Sequence, residues 1–140
     1  MATKPCATGY ITSPYGERTL KGKKEFHGGI DIGSKDISPV IVAAYTGIVV
    51  NNGFSSTFGN RIWVRNTEGK YKDMYTVYPH LFSIDTTIGI GKKIQEGATI
   101  GIMGNTGYSF GRHLHFEIRT RPDVKGEHID PVEIIELYKV

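Results

Sequence analysis

The sequence predicts a mostly β protein, a single domain over residues 1–140 that ends in one short helix. Three observations carry that prediction. Residues 112 to 119, Arg-His-Leu-His-Phe-Glu-Ile-Arg, alternate polar and apolar without a break, which is the period-two signature of a half-buried strand. The remaining apolar runs are short and separated by turn residues, and 18 glycines, six prolines and eight tyrosines suit a turn-rich β fold. At 140 residues the chain is long enough for one core and too short to divide comfortably into two.

Taken in order, residues 1 to 24 show little periodicity and contain Gly9, Pro14, Gly16 and Gly22, so they read as a first strand plus a loop. Residues 25 to 33, Glu-Phe-His-Gly-Gly-Ile-Asp-Ile-Gly, alternate around a Gly-Gly interruption, with two glycines and a β-branched pair arguing against a helix. In a straight strand His27 and Asp31 would share a face about 13 Å apart. A bend at Gly28-Gly29, using backbone angles open to glycine, would bring them together. An ordinary glycine bulge with two polar neighbours fits the same residues.

Pro39 to Val50 reads as two buried strands joined at Thr46-Gly47, Asn51 to Gly59 as a polar loop, and Asn60 to Val64 as a strand. Asp73 to Leu81 is another strand, and Pro79 places its end or an edge there, because proline cannot donate to a sheet ladder. His80 is therefore expected at a rim, where functional groups are often displayed. Between residues 88 and 107, glycines separate short isoleucine-bearing strands; no helix pattern and no Gly-Lys-Ser/Thr follows, so strands between tight turns fit better than a phosphate loop. After the 112–119 strand, a polar segment from Thr120 to His128 leads to Asp130, a candidate N-cap, and Pro131, with a helix expected over Val132 to Val140. His128 is expected to be solvent-exposed.

Composition narrows the function classes. Seventeen basic and fourteen acidic residues give a net charge of +3, compatible with an anionic polymer such as a cell wall but without the dense basic patch of a nucleic-acid binder. No apolar run approaches the roughly 20 residues of a membrane span, and the N-terminus lacks a signal-peptide core, so a trimmed chain or another export route is expected. Cys6 is the sole cysteine, so no internal disulfide is possible, and its place beside Pro5 near the N-terminus gives little support for a thiol nucleophile.

The histidines carry the chemistry. His113, His115, Glu117 and Arg119 share one face of their strand, with neighbouring Cα atoms roughly 6.5 to 7 Å apart. Two imidazoles at that spacing can converge on one metal ion, or one can ligate while the other reaches a bound substrate. A plain surface strand is the bland alternative. With His27, Asp31 and His80 added, the chain offers five candidate groups, two more than the three protein ligands of a catalytic zinc site. The surplus suits a hydrolase, which also needs groups to position water and stabilise an oxyanion.

With this arrangement the sequence resembles the lysostaphin/LytM-type zinc endopeptidases of bacterial cell walls and phages. The resemblance runs from Ser13-Pro14-Tyr15-Gly16-Glu17-Arg18 through Phe26-His27-Gly28-Gly29-Ile30-Asp31, Pro39-Val40, Tyr78-Pro79-His80-Leu81 and Gly104-Asn105-Thr106-Gly107 to His113-Leu114-His115-Phe116-Glu117 and Asp130-Pro131. It implies an open, antiparallel β-sheet groove, one zinc ion bound by His27, Asp31 and His115, and a catalytic pair, His80 and His113, acting on the metal-bound water or the scissile carbonyl. It further implies peptidoglycan stem or cross-bridge peptides as substrate, and action at the bacterial cell wall by a secreted, periplasmic or phage-delivered monomer without membrane insertion. Pro79 stands where a small residue usually precedes the histidine in that family, and Arg112 where a proline commonly precedes His-Leu-His; neither removes a ligand. The Asn51–Gly59 and Thr120–His128 segments would line the groove. A non-catalytic LytM-like module binding cell wall or a partner protein is the alternative, although such modules typically lack one or more ligands. A biotinyl- or lipoyl-like carrier domain around residues 88 to 107 leaves all five groups unexplained.

Overall fold

The computed structural model describes residues 2–109, 111–123 and 125–139. In chain order the elements are β1 (Gly9–Ser13), β2 (Gly16–Leu20), β3 (Lys23–His27), β4 (Ile30–Ser34), β5 (Val40–Val42), β6 (Gly47–Ser55), β7 (Gly59–Asn66), β8 (Tyr75–Leu81), β9 (Ser83–Ile84), β10 (Lys93–Ile94), β11 (Thr99–Ile102), β12 (Leu114–Arg119), β13 (His128–Ile129) and α1 (Val132–Leu137). An eight-stranded sheet runs β1-β4-β12-β8-β7-β6-β10, with β13 paired to β12. A three-stranded sheet, β5-β11-β9, and the β2-β3 hairpin complete the fold. The strands pair antiparallel throughout the described residues, as expected of a mostly β groove protein.

Alternation sets the register at the centre. Ile30 and Ile32 of β4 and Leu114, Phe116 and Ile118 of β12 are fully buried, and each such side chain contributes about 1.5 to 3 kcal/mol by leaving water. A slip of one residue would exchange these for Asp31 and His115, so burial of one face holds the polar residues of the other in place. Tyr78 of β8 lies edge-on to Phe116 at 5.5 Å between ring centres, and its hydroxyl accepts a hydrogen bond from the Ala44 amide at 3.0 Å.

Several segments differ from expectation. Residues 16 to 27 form a hairpin instead of a loop, turning at Lys21 and Gly22, whose φ values of 52° and 77° meet the two-residue turn's demand for positive φ. The strands expected around Thr46-Gly47 exist but do not pair with each other, since β5 belongs to the smaller sheet and β6 to the larger. The expected 51–59 loop is mostly strand, because β6 continues to Ser55 opposite β7. Pro79 lies inside β8, beyond its last pairing with β12 and beside the register irregularity between Asn60 and Ile62 of β7, so no ladder bond is lost. The helix spans Val132–Leu137, and Val140 lies outside the described residues. Pro131, not Asp130, occupies its N-cap, without a side-chain cap, and the Asp130 carbonyl accepts a bond from the Tyr71 hydroxyl at 3.1 Å. Burial raises the pKa of the Cys6 thiol above its ordinary value, more than the opposing bonds to Thr8 lower it, which suits a packing role for that side chain.

The bend between β3 and β4 forms at Gly28-Gly29, but for a steric reason. Neither glycine adopts the left-handed backbone region. A Cβ on Gly29 would instead lie 2.3 Å from the Phe116 carbonyl oxygen, and one on Gly28 would lie 2.3 Å from the His128 ring. Gly29→Ala is therefore expected to destabilise the metal-free protein by about 1 to 3 kcal/mol, the usual cost of overpacking, read as a lower urea midpoint at unchanged slope.

Candidate metal centre and groove

Asp31 and His115 meet because β4 and β12 pair with these two residues in register. The His115 Nδ1 lies 2.9 Å from Asp31 Oδ1. The bend after β3 returns His27, whose Nε2 comes within 3.2 Å of the same oxygen and within 3.2 Å of His115 Nδ1. The three ligand atoms all lie within 4.8 Å of one another.

The far nitrogen of each ring is held by an acceptor. His27 Nδ1 donates to the Pro14 carbonyl at 2.7 Å, and His115 Nε2 donates to Glu117 Oε2 at 2.6 Å. An acceptor fixes the proton on the nitrogen facing it, so the opposite nitrogens turn their lone pairs toward Asp31. Two imidazole lone pairs and a carboxylate oxygen facing one another repel unless a cation lies among them, and a set of two nitrogens and one oxygen suits zinc. In the metal-free protein a proton takes that part. Burial disfavours the charged His115 ring, but hydrogen bonds to Asp31 and Glu117 and their charges outweigh it, raising its pKa to about 9. Asp31 is likewise held well below the usual carboxylate range, since bonds and charges from His115 and His27 overcome the penalty of burial.

His80 and His113 stand beside this cluster, 5.7 Å apart between ring centres, with His80 6.5 Å from His115. Each donates Nδ1–H to a backbone carbonyl at 2.7 Å, His80 to Thr106 and His113 to Gly111, which leaves both Nε2 atoms available to take up or give a proton. His113 Nε2 is 3.6 Å from Asp31 Oδ1, outside hydrogen-bond reach. His80 adopts a φ of 61°, fixed by its amide bond of 2.6 Å to the Phe58 carbonyl. Such backbone strain costs on the order of 1 to 3 kcal/mol and collects at functional sites. Burial is the main cause that lowers the His80 pKa below the ordinary imidazole value. The folded state then binds a proton less readily than the unfolded chain. That contribution to stability is intact above about pH 6.5 and is lost as pH falls below it. A nuclear magnetic resonance titration of the His80 ring in the metal-free protein is expected to give a midpoint below 6.5.

The five groups border a groove of about 890 Å³ that also takes in Arg18, Phe58, Tyr108 and Ser109. Of the two segments expected to line it, the first contributes Thr57 and Phe58, while Pro122 and Asp123 of the second line an adjoining hollow. Arg112 has a structural role in this chain: its guanidinium donates to the carbonyls of Ser34, Asp36 and Ile37, each at 2.8 Å, tying the segment before His113 to the loop after β4.

Two expectations need correction. The strand expected from Arg112 begins at Leu114, and His113 makes only an isolated bridge to Gly104. His128 is not solvent-exposed in a loop: it starts β13, is half-buried, and its Nε2 comes 3.6 Å from Glu117 Oε2. Glu117 and Arg119 also enter the site. Their shared face with His115 was readable from the alternation, but their burial was not.

Comparison with known proteins bears on the family and the fold. The model of peptidase family M23 matches residues 25–131. The DD-carboxypeptidase/endopeptidase Mpg of Neisseria meningitidis is 31% identical over 126 residues, covering 89% of this chain and 26% of that protein. The peptidoglycan DD-endopeptidase ShyC of Vibrio cholerae is 30% identical over 127 residues, covering 86% and 26%. The chain thus spans about a quarter of the length of these curated relatives. The solved catalytic domain of the antimicrobial peptidase lysostaphin from Staphylococcus simulans superposes with a TM-score of 0.74 at 27% identity, covering 90% of this chain and 91% of that one. A match of that extent, over a fold shared with a known catalytic domain, makes this chain a member of peptidase family M23.

Proposed function

We propose that this chain is a zinc-dependent endopeptidase that hydrolyses peptide bonds in the stem or cross-bridge of bacterial peptidoglycan, acting as one domain at the cell wall. The observation that carries the proposal is the convergence of His27 Nε2, Asp31 Oδ1 and His115 Nδ1 on one point, with two further imidazoles beside it. In this reading His27, Asp31 and His115 hold one zinc ion. When bound, zinc supplies a Lewis acid that brings a water molecule's pKa toward about 7.

The chain's own residues do the rest. His80 stays neutral at pH 7 because burial disfavours its charge, and its free Nε2 accepts the proton of the attacking water. That proton then passes to the nitrogen of the leaving amine as the peptide C–N bond breaks. In its protonated form His113 donates Nε2–H toward the carbonyl oxygen as negative charge develops there, the kind of fixed donor typically worth about 3 to 4 kcal/mol of barrier. The Thr106 and Gly111 carbonyls keep both rings in the required orientation.

Metal analysis of protein loaded with zinc and freed of excess by gel filtration tests the premise. One zinc per chain, removed by a chelator together with wall-lysing activity, is the expected result. A folded protein that retains no zinc would refute the assignment.

A further inference from the structure

We propose that Glu117 is a positioning residue: it orients His115 so that Nδ1 faces the metal point, and Arg119 in turn holds Glu117. The proposal rests on the zinc-site reading above.

Glu117 lies two residues beyond His115 on the same strand face, so its carboxylate rises beside the ring. Oε2 accepts from His115 Nε2 at 2.6 Å, and Oε1 accepts from Arg119 Nε at 2.6 Å. His128 Nε2 also approaches, at 3.6 Å from Oε2. Both side chains of the Glu117–Arg119 pair are only 6% exposed, so neither charge is answered by bulk water. The guanidinium is packed in turn against aromatic faces, 5.9 Å from the centre of the Phe58 ring and 5.6 Å from that of Trp63. Phe58 borders the groove. A rigid chain of contacts thus runs from the groove wall through Arg119 and Glu117 to His115. A carboxylate behind a ligating imidazole fixes both the ring's orientation and the nitrogen it offers, and losing such a partner typically weakens metal binding about 10- to 100-fold.

Glutamine at position 117 keeps the shape but can accept from only one of the two donors, because its amide group confronts the other. Zinc affinity measured by competition with a chromophoric chelator is therefore expected to fall about 10- to 100-fold in Glu117→Gln. The visible absorption of the cobalt-loaded protein should change with it. If Glu117→Gln does not fold, Glu117→Gln combined with Arg119→Gln removes the opposing charge as well and is expected to show the same loss. Tyr45→Phe, which deletes a hydrogen bond to Glu133 away from the groove, controls for general destabilisation and should leave zinc affinity unchanged. A folded Glu117 variant that binds zinc within twofold of the parent would overturn the proposal while leaving the zinc reading intact. A parent that binds no zinc would overturn both.

Discussion

Substitution of His115 by alanine is expected to abolish metal retention and, with it, hydrolysis. His115 is the hinge of the polar cluster: Nδ1 meets Asp31 and Nε2 meets Glu117. Removing the ring deletes one of three donors to the metal point. It also takes one hydrogen bond from each carboxylate, leaving Asp31 with Arg18 and His27 and Glu117 with Arg119, and a hydrogen bond to a charged group is typically worth about 1.5 to 3 kcal/mol. The metal-free variant should therefore unfold at lower urea than the parent at pH 7, where the ring still carries its proton. Metal content and a urea titration read the two effects separately. Unchanged metal content would refute the assignment of His115 as a ligand.

His113→Ala is expected to do the opposite to binding and nearly the same to rate. Its Nε2 lies too far from Asp31 for a hydrogen bond, and its Nδ1 is tied to the Gly111 carbonyl, so deleting it leaves the three donor atoms of the metal point untouched. In the proposed mechanism what is lost is a donor to the developing oxyanion, typically worth about 100- to 1,000-fold in kcat. Zinc per chain should stay at the parent value while kcat falls by that factor. Loss of zinc instead would show that the two histidines of the His-Leu-His segment were divided wrongly.

Much of this was legible in the sequence where one face of an element is buried. The Leu114, Phe116 and Ile118 alternation predicts β12 and the side on which His115 lies, because the core enforces the period. The β2-β3 hairpin was not legible, since residues such as Thr19, Leu20, Lys23 and Glu25 stand in a ribbon exposed to water, where burial marks the strands only weakly. Long-range pairing was equally hidden. His128 reaches Glu117 only because β13 pairs with β12, and no local signal predicts that. The glycine pair after His27 marked the correct bend for an incomplete reason, because the demand for glycine comes from Phe116 and His128, residues distant in sequence. The recurrence of His27 with Asp31 and of His113 with His115 was visible as spacing, but their convergence needed the β4–β12 register.

The most direct measurement is mass spectrometry of purified bacterial cell walls digested with zinc-loaded protein, with chelator-treated protein as the paired control. Peptide fragments bearing new amine ends from the stem or cross-bridge are expected with the metal-loaded protein, absent after chelation and formed about 100- to 1,000-fold more slowly by His113→Ala. No new amine ends from zinc-loaded, folded protein, across walls of differing cross-bridge type, would contradict the proposed function.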